Sequence, residues 1–299
     1  MPTPEPLARR FLAISFTAIA LCLALLSGCA SAPRGVDKVA LVIGNAKYDN
    51  VVPLVNPTND ANDMCAALRK LGFKTMCHTN VRDRAEFDTL VKAYTAALET
   101  GSVGVFYYSG HGVQAGQGNY LIPTQVQMKS ATENPTRALY AVDDLFDGLR
   151  QRRSRFQLVV LDACRADLFA QAHTPGSRAA APRSDLVHAL EGVARASNGL
   201  QPIKDAPPGT IVLYATASKD LAFDGDGRNG PLTKHILEHI ETRGLYVEEF
   251  IKRVTLGVEQ ETLRKYRKRQ TPFIYGSFSG KFCFAGCPGD NDVPVPPAF

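Results

Sequence analysis

At 299 residues the chain has room for one large domain or two small ones. With 45% apolar and 21% charged residues its composition is that of an ordinary globular protein, which excludes a disordered or fibrous chain. A formal net charge of +5, dispersed along the sequence, is too mild to predict a nucleic-acid partner and reads as a solvated surface.

The first element is a leader. Arg9 and Arg10 precede an uncharged run from Phe11 to Leu26 that ends in Leu26-Ser27-Gly28-Cys29. A basic start, a short apolar stretch and small residues at the cut describe a secretory signal. The run is shorter than the roughly 20 residues that span a bilayer. Its ending resembles a bacterial lipobox, in which the cysteine is acylated and becomes the new N-terminus. That resemblance implies a signal peptide over 1–28, lipid on Cys29, and a short linker to residue 37. It further implies a domain anchored in the bacterial cell envelope and facing the periplasm. Ala30 after the cysteine favours the outer membrane of a Gram-negative cell. A plain membrane anchor or an uncleaved core helix is the alternative. The envelope permits disulfides. Cys65, Cys77, Cys283 and Cys287 form an even set there whose pairing the sequence does not fix: Cys283–Cys287 fits the turn marked by Gly286 and Pro288, Cys65–Cys77 would tie the first helix to the second strand, and four buried free thiols are the alternative.

After the leader, element types alternate. Val39 to Ile43 is a strand run. Thr58 or Asn59 caps a helix with Met64, Leu68 and Leu71 on one face, which ends near Gly72. Phe73 to Cys77 reads as a second strand. Phe87, Leu90, Val91, Tyr94 and Leu98 follow helical spacing. Val103 to Tyr108 is a buried strand. A helix with Val142, Leu145, Phe146 and Leu149 precedes another buried strand, Phe156 to Leu161. Thr210 to Thr216 is a fifth strand, followed by helices around 231–242 and 247–258. Strands alternating with helices predict a mainly parallel sheet covered on both faces. Residues 166–208 break the pattern: they are rich in Ala, Pro, Ser and Arg, and connections of that length are functional or disordered. A Pro-rich tail occupies 286–299.

Two of the buried strands end in chemistry. The first runs into Ser109-Gly110-His111-Gly112 and the second into Asp162-Ala163-Cys164-Arg165, with 53 residues from His111 to Cys164. Functional groups gather at the carboxyl ends of parallel strands. Imidazole beside thiol is a nucleophile–base pair, because the thiolate is the reactive species. The motifs and their spacing resemble those of caspase-like cysteine peptidases (clan CD, family C14). Asp162, where animal caspases carry Gln, resembles metacaspases and their bacterial relatives. The segments Val39–Asn45, Asn59-Asp60-Ala61, Gly118–Pro123, Leu213–Ala217, Gln270–Phe273 and Ser279–Phe282 fit the same family in order. The resemblance covers residues 38 to about 285 and implies a three-layer α/β/α sandwich around a mainly parallel sheet of about six strands.

It also implies roles. Cys164 is the nucleophile and His111 its acid–base partner, and the backbone N–H groups of Gly112 and Cys164 form the oxyanion hole. The long 166–208 connection is expected to be a processing and cleft loop, with Arg178, Arg183, Arg195 and Lys204 as cut points; a solvated insertion explains its composition equally. Asp162 lies two residues before the cysteine, and strand positions two apart share a face. Asp60 matches a second acidic pocket residue of metacaspases. Two carboxylates in one pocket attract a guanidinium or ammonium, which predicts cleavage after Arg or Lys. The expected partners are therefore peptide or protein substrates with a basic P1 residue, and the membrane through the lipid. A monomer is expected.

Three other readings remain open. His235-Ile236-Leu237-Glu238-His239 fits an inverted zinc-peptidase pattern. Asp224-Gly225-Asp226-Gly227-Arg228-Asn229 superficially resembles a calcium loop without its later Glu. No metal or cofactor is needed by the dyad, although calcium activates several metacaspases. The non-enzymatic alternative is a catalytically silent, caspase-like scaffold lipoprotein.

Overall fold

The computed structural model describes residues 36–127, 134–164, 200, 205–216, 222–223 and 225–289, and of Cys164 only the backbone. The expected leader with Cys29, the expected cut points Arg178, Arg183, Arg195 and Lys204, and most of the tail lie outside these residues.

Among the described residues, eight strands and five α-helices follow in chain order. They are β1 (Lys38–Gly44), α1 (Pro57–Lys70), β2 (Lys74–Thr79), α2 (Arg84–Ala97), β3 (Val103–Ala115), β4 (Gly118–Leu121), β5 (Tyr140–Ala141), α3 (Val142–Arg150), β6 (Phe156–Cys164), β7 (Thr210–Tyr214), α4 (Pro231–Ile240), α5 (Val247–Tyr266) and β8 (Phe273–Gly276). The main sheet has the order β2-β1-β3-β6-β7-β8. All its pairings are parallel except β7 with β8. The three-layer α/β/α sandwich is the fold observed.

Period-2 alternation divides each central strand between two cores. Ala40, Val42, Val105, Leu158 and Val160 face α1, α4 and α5. Their neighbours Leu41, Ile43, Phe106, Val159 and Leu161 face α2 and α3. Burial on both faces is what makes these strands read as continuous apolar runs.

Several local expectations change. The cap of α1 is Asn56, not Thr58 or Asn59; Pro57 opens the helix, where its missing N–H costs nothing. Asn59 instead donates to the Arg228 carbonyl at 3.2 Å. β3 does not stop at Tyr108 but continues through the histidine motif to pair antiparallel with β4. The four remaining cysteines are joined as Cys65–Cys77, which ties α1 to β2, and Cys283–Cys287, which closes a turn.

Candidate active site

The β3–β6 register sets the site. Ser109 pairs with Asp162, and two positions further on His111 pairs with Cys164. The acidic residue and the proposed dyad thus occupy successive same-face rungs at the carboxyl edge of the sheet, roughly 7 Å apart along the strands.

His111 is fixed at every atom but one. Its backbone N–H donates to the Tyr48 hydroxyl at 2.8 Å, and its carbonyl accepts from the Ile122 N–H at 3.0 Å and the Tyr108 hydroxyl at 2.8 Å. Gly110 permits this crowding, because a Cβ there would lie 2.7 Å from both the Tyr48 and Tyr108 hydroxyls. The ring is 1% exposed and its Nε2 lies 2.7 Å from the Val52 carbonyl. A carbonyl only accepts, so the proton of a neutral imidazole sits on Nε2 and Nδ1 is left as a bare acceptor. Nδ1 is buried and has no hydrogen-bond partner among the described residues. Burial pulls the ring pKa down to about 4, against a small opposing pull from the Val52 carbonyl. The imidazole is therefore neutral at pH 7, with its lone pair on Nδ1.

The second cluster is acidic. Asp60, on the first turn of α1, is 2% exposed. Its Oδ2 accepts from Ser109 Oγ at 3.0 Å, and its Oδ1 from Asn229 Nδ2 and the Gly230 N–H, both at 3.1 Å. Burial and the facing Asp162 push its pKa up to about 7, although those three donors pull the other way. Asp162 Oδ2 accepts from Thr233 Oγ1 at 2.6 Å, at the start of α4. Asp63, one turn along α1, forms a two-pronged pair with Arg228 at 2.8 and 2.9 Å, and that guanidinium keeps it below the usual carboxylate range.

Sequence reasoning missed Tyr48, Val52, Ser109, Asn229 and Thr233. The loop containing Asp226 and Arg228 closes over Asp60, with Asp226 accepting from Lys265 at 2.7 Å. Its acid is thus already engaged with a lysine. The zinc pattern resolves differently. His235 Nδ1 meets Glu238 at 2.6 Å and Nε2 meets Glu261 at 2.9 Å, so both ring nitrogens are engaged by carboxylates. Among the described residues no three His, Cys, Asp or Glu side chains converge as a metal site.

A parallel α/β sandwich with His and Cys on paired rungs at its carboxyl edge is the arrangement of a caspase-like cysteine peptidase. The chain belongs to the caspase-domain family, peptidase C14, which matches residues 37–283. Residues of the chain are 27% identical over 135 positions to the human mucosa-associated lymphoid tissue lymphoma translocation protein 1, covering 44% of the chain and 16% of that protein. The mouse homologue matches with 27% identity over 44% of the chain and 15% of its own length. The matched stretch is thus a small part of either relative. Among solved structures, caspase-1 of Spodoptera frugiperda superposes with a TM-score of 0.57 at 12% identity, covering 85% of this chain and 94% of its own. A Geobacter sulfurreducens protein does so at 0.57 and 18%, covering 84% and 98%. At these identities the two structures speak for the fold.

Proposed function

We propose that the protein is a cysteine endopeptidase that cleaves after Arg or Lys through a Cys164–His111 dyad. The observation that carries this reading is the pair of buried Asp60 and half-buried Asp162, one rung from the His111–Cys164 rung. A carboxylate pair so placed suits a cationic P1 side chain and repels an acidic one.

The steps follow from the proton positions. Nδ1 of neutral His111 takes the thiol proton of Cys164, and the thiolate attacks the P1 carbonyl. Negative charge on the carbonyl oxygen is stabilised by the backbone N–H groups of Gly112 and Cys164. The imidazolium then returns its proton to the leaving amine, and water releases the acyl group with His111 as base. No cofactor enters these steps. The 166–208 loop is a self-processing segment in this reading, and lipid on Cys29 holds the enzyme in the cell envelope. Loss of membrane fractionation in Cys29→Ser checks the anchor.

The test is cleavage of fluorogenic peptides with P1 Arg, Lys, Asp or citrulline by the reduced protein, with and without calcium. Arg or Lys cleavage, lost in Cys164→Ala and in His111→Ala, is expected. Cleavage after Asp alone would remove Asp60 and Asp162 from the pocket. A folded, reduced protein that cleaves nothing would favour the silent scaffold.

A further inference from the structure

The stretch from Asp226 to Gly230 is pinned between two helices. At one end Asp226 accepts from Lys265 Nζ of α5 at 2.7 Å, and Lys265 also lies 2.9 Å from Glu261 one turn back. At the other end the Arg228 carbonyl accepts from Asn59 Nδ2 at 3.2 Å, and the Arg228 guanidinium clasps Asp63, both partners belonging to α1. Gly230 is the N-cap residue of α4.

Asn229, half-buried, sits between these anchors. Its Nδ2 lies 3.1 Å from Asp60 Oδ1 and 3.0 Å from Asp63 Oδ2. Asp63 is held ionised by Arg228, and Asp60 Oδ1 already accepts from the Gly230 N–H at 3.1 Å. Both oxygens are therefore acceptors, so the NH2 end of the amide faces them and spends one N–H on each acid. Two donors fill Oδ1 of Asp60. Among the described residues Oδ2 accepts only from Ser109 Oγ, at 3.0 Å, which leaves it one acceptor direction. Ser109 is the residue opposite Asp162 on the β3–β6 rung, so the oxygen with room is the one on the Asp162 side. Arg228 is the cation placed to compete for Asp60 from within the chain. Its ion pair is with Asp63, and the Asn229 amide bridges the two acids.

We propose that Asn229 is a positioning residue for P1 recognition: by holding Asp60 Oδ1 and tying Asp63 beside it, it turns Oδ2 toward the P1 cation and keeps Arg228 on Asp63. This rests on the basic-pocket reading above. With a side chain at 229 that cannot bridge, the Asp60 carboxylate is free to turn and Arg228 is free to reach it. A substrate cation then loses its acceptor, whereas a neutral P1 side chain of the same shape loses nothing.

The experiment is fluorescence anisotropy with labelled P1-arginine and P1-citrulline peptide amides on the full chain carrying Cys164→Ala, which prevents turnover. The chain with Cys164→Ala alone should bind the arginine peptide the more tightly. Adding Asn229→Ala should weaken arginine binding about tenfold, the order of one hydrogen bond to a charged group, and citrulline binding less than about twofold. Asn229→Ser keeps one donor, which can serve one acid, and should show a smaller loss of the same kind; it carries the test if thermal melts show Asn229→Ala unfolded. Arginine binding that is unchanged, or weakened no more than citrulline binding, would overturn the positioning role and leave the basic pocket standing. Equal binding of the two peptides by the Cys164→Ala chain, or binding of neither, would overturn both.

Discussion

One of the groups that position the imidazole is the Tyr48 phenol. The His111 N–H is buried, and its acceptor is the Tyr48 hydroxyl at 2.8 Å, with the two rings 4.6 Å apart. Tyr48→Phe keeps the ring contact and removes that acceptor. A buried N–H left without a partner costs about 1–3 kcal/mol, which urea unfolding will read as a lower midpoint. In the proposed mechanism Nδ1 must meet the thiol, and small displacements of a reacting group cost roughly ten- to a hundredfold in rate. Tyr48→Phe is therefore expected to lower kcat for P1-arginine peptides by that order while KM holds, since Asp60 and Asp162 are untouched. An unchanged kcat would remove Tyr48 from the positioning of the base.

Among the elements, α1 matters most, because it carries Asp60 and packs against the end of β1 at Gly44. A Cβ on residue 44 would sit 2.1 Å from the Pro57 carbonyl oxygen and 2.7 Å from Ala61 Cβ. Both are parts of the helix that no rotamer change can move. Gly44→Ala must push α1 outward, at a cost of about 1–3 kcal/mol, and carry Asp60 away from Ser109. The expected signature is a lower melting temperature with a raised KM for arginine peptides; loss of stability alone would mean that α1 moves without disturbing the acid pair. The same elements show what a sequence can disclose. Val39–Ile43, Val103–Tyr108 and Phe156–Leu161 are legible because burial on both faces demands uninterrupted apolar runs. His111, Cys164, Asp60 and Asp162 are legible as candidates because motifs mark them. The strand β8 is not, being a four-residue antiparallel edge with only partial burial. The continuation of β3 is hidden by its glycines, which read as the end of a strand. Thr233 and Asn229 gain their roles from the docking of α4 and its preceding loop beside α1 and β6. No local pattern encodes that.

Over the whole molecule, the two buried titrating groups act on stability with opposite signs. Asp60 has a folded pKa of about 7 against roughly 3.9 when unfolded, so the native state binds more protons between those values. Its contribution is complete below pH 3.9 and is lost as pH rises through 7. His111 has a folded pKa of about 4 against roughly 6.5 unfolded, so there the unfolded chain binds more protons. Its contribution is complete above 6.5 and is lost as pH falls toward 4. Between pH 4 and 6.5 the two slopes oppose, each worth about 1.4 kcal/mol per pH unit for a full proton. Removing one group unmasks the other. Asp60→Asn can keep its Oδ1 contacts to Asn229 and Gly230, and should gain stability relative to the parent as pH rises from 4 to 7, then level off. His111→Gln should gain on the parent in the opposite direction, as pH falls from 6.5 to 4. Urea unfolding at half-unit steps of pH reads both differences. Parallel profiles for Asp60→Asn and the parent would show that the acid pair is already ionised at rest. Near neutral pH the burial of Asp60 costs stability, and in the proposed function the same carboxylate receives the basic side chain, so Asp60→Asn should be the sturdier protein at pH 8 and the poorer peptidase.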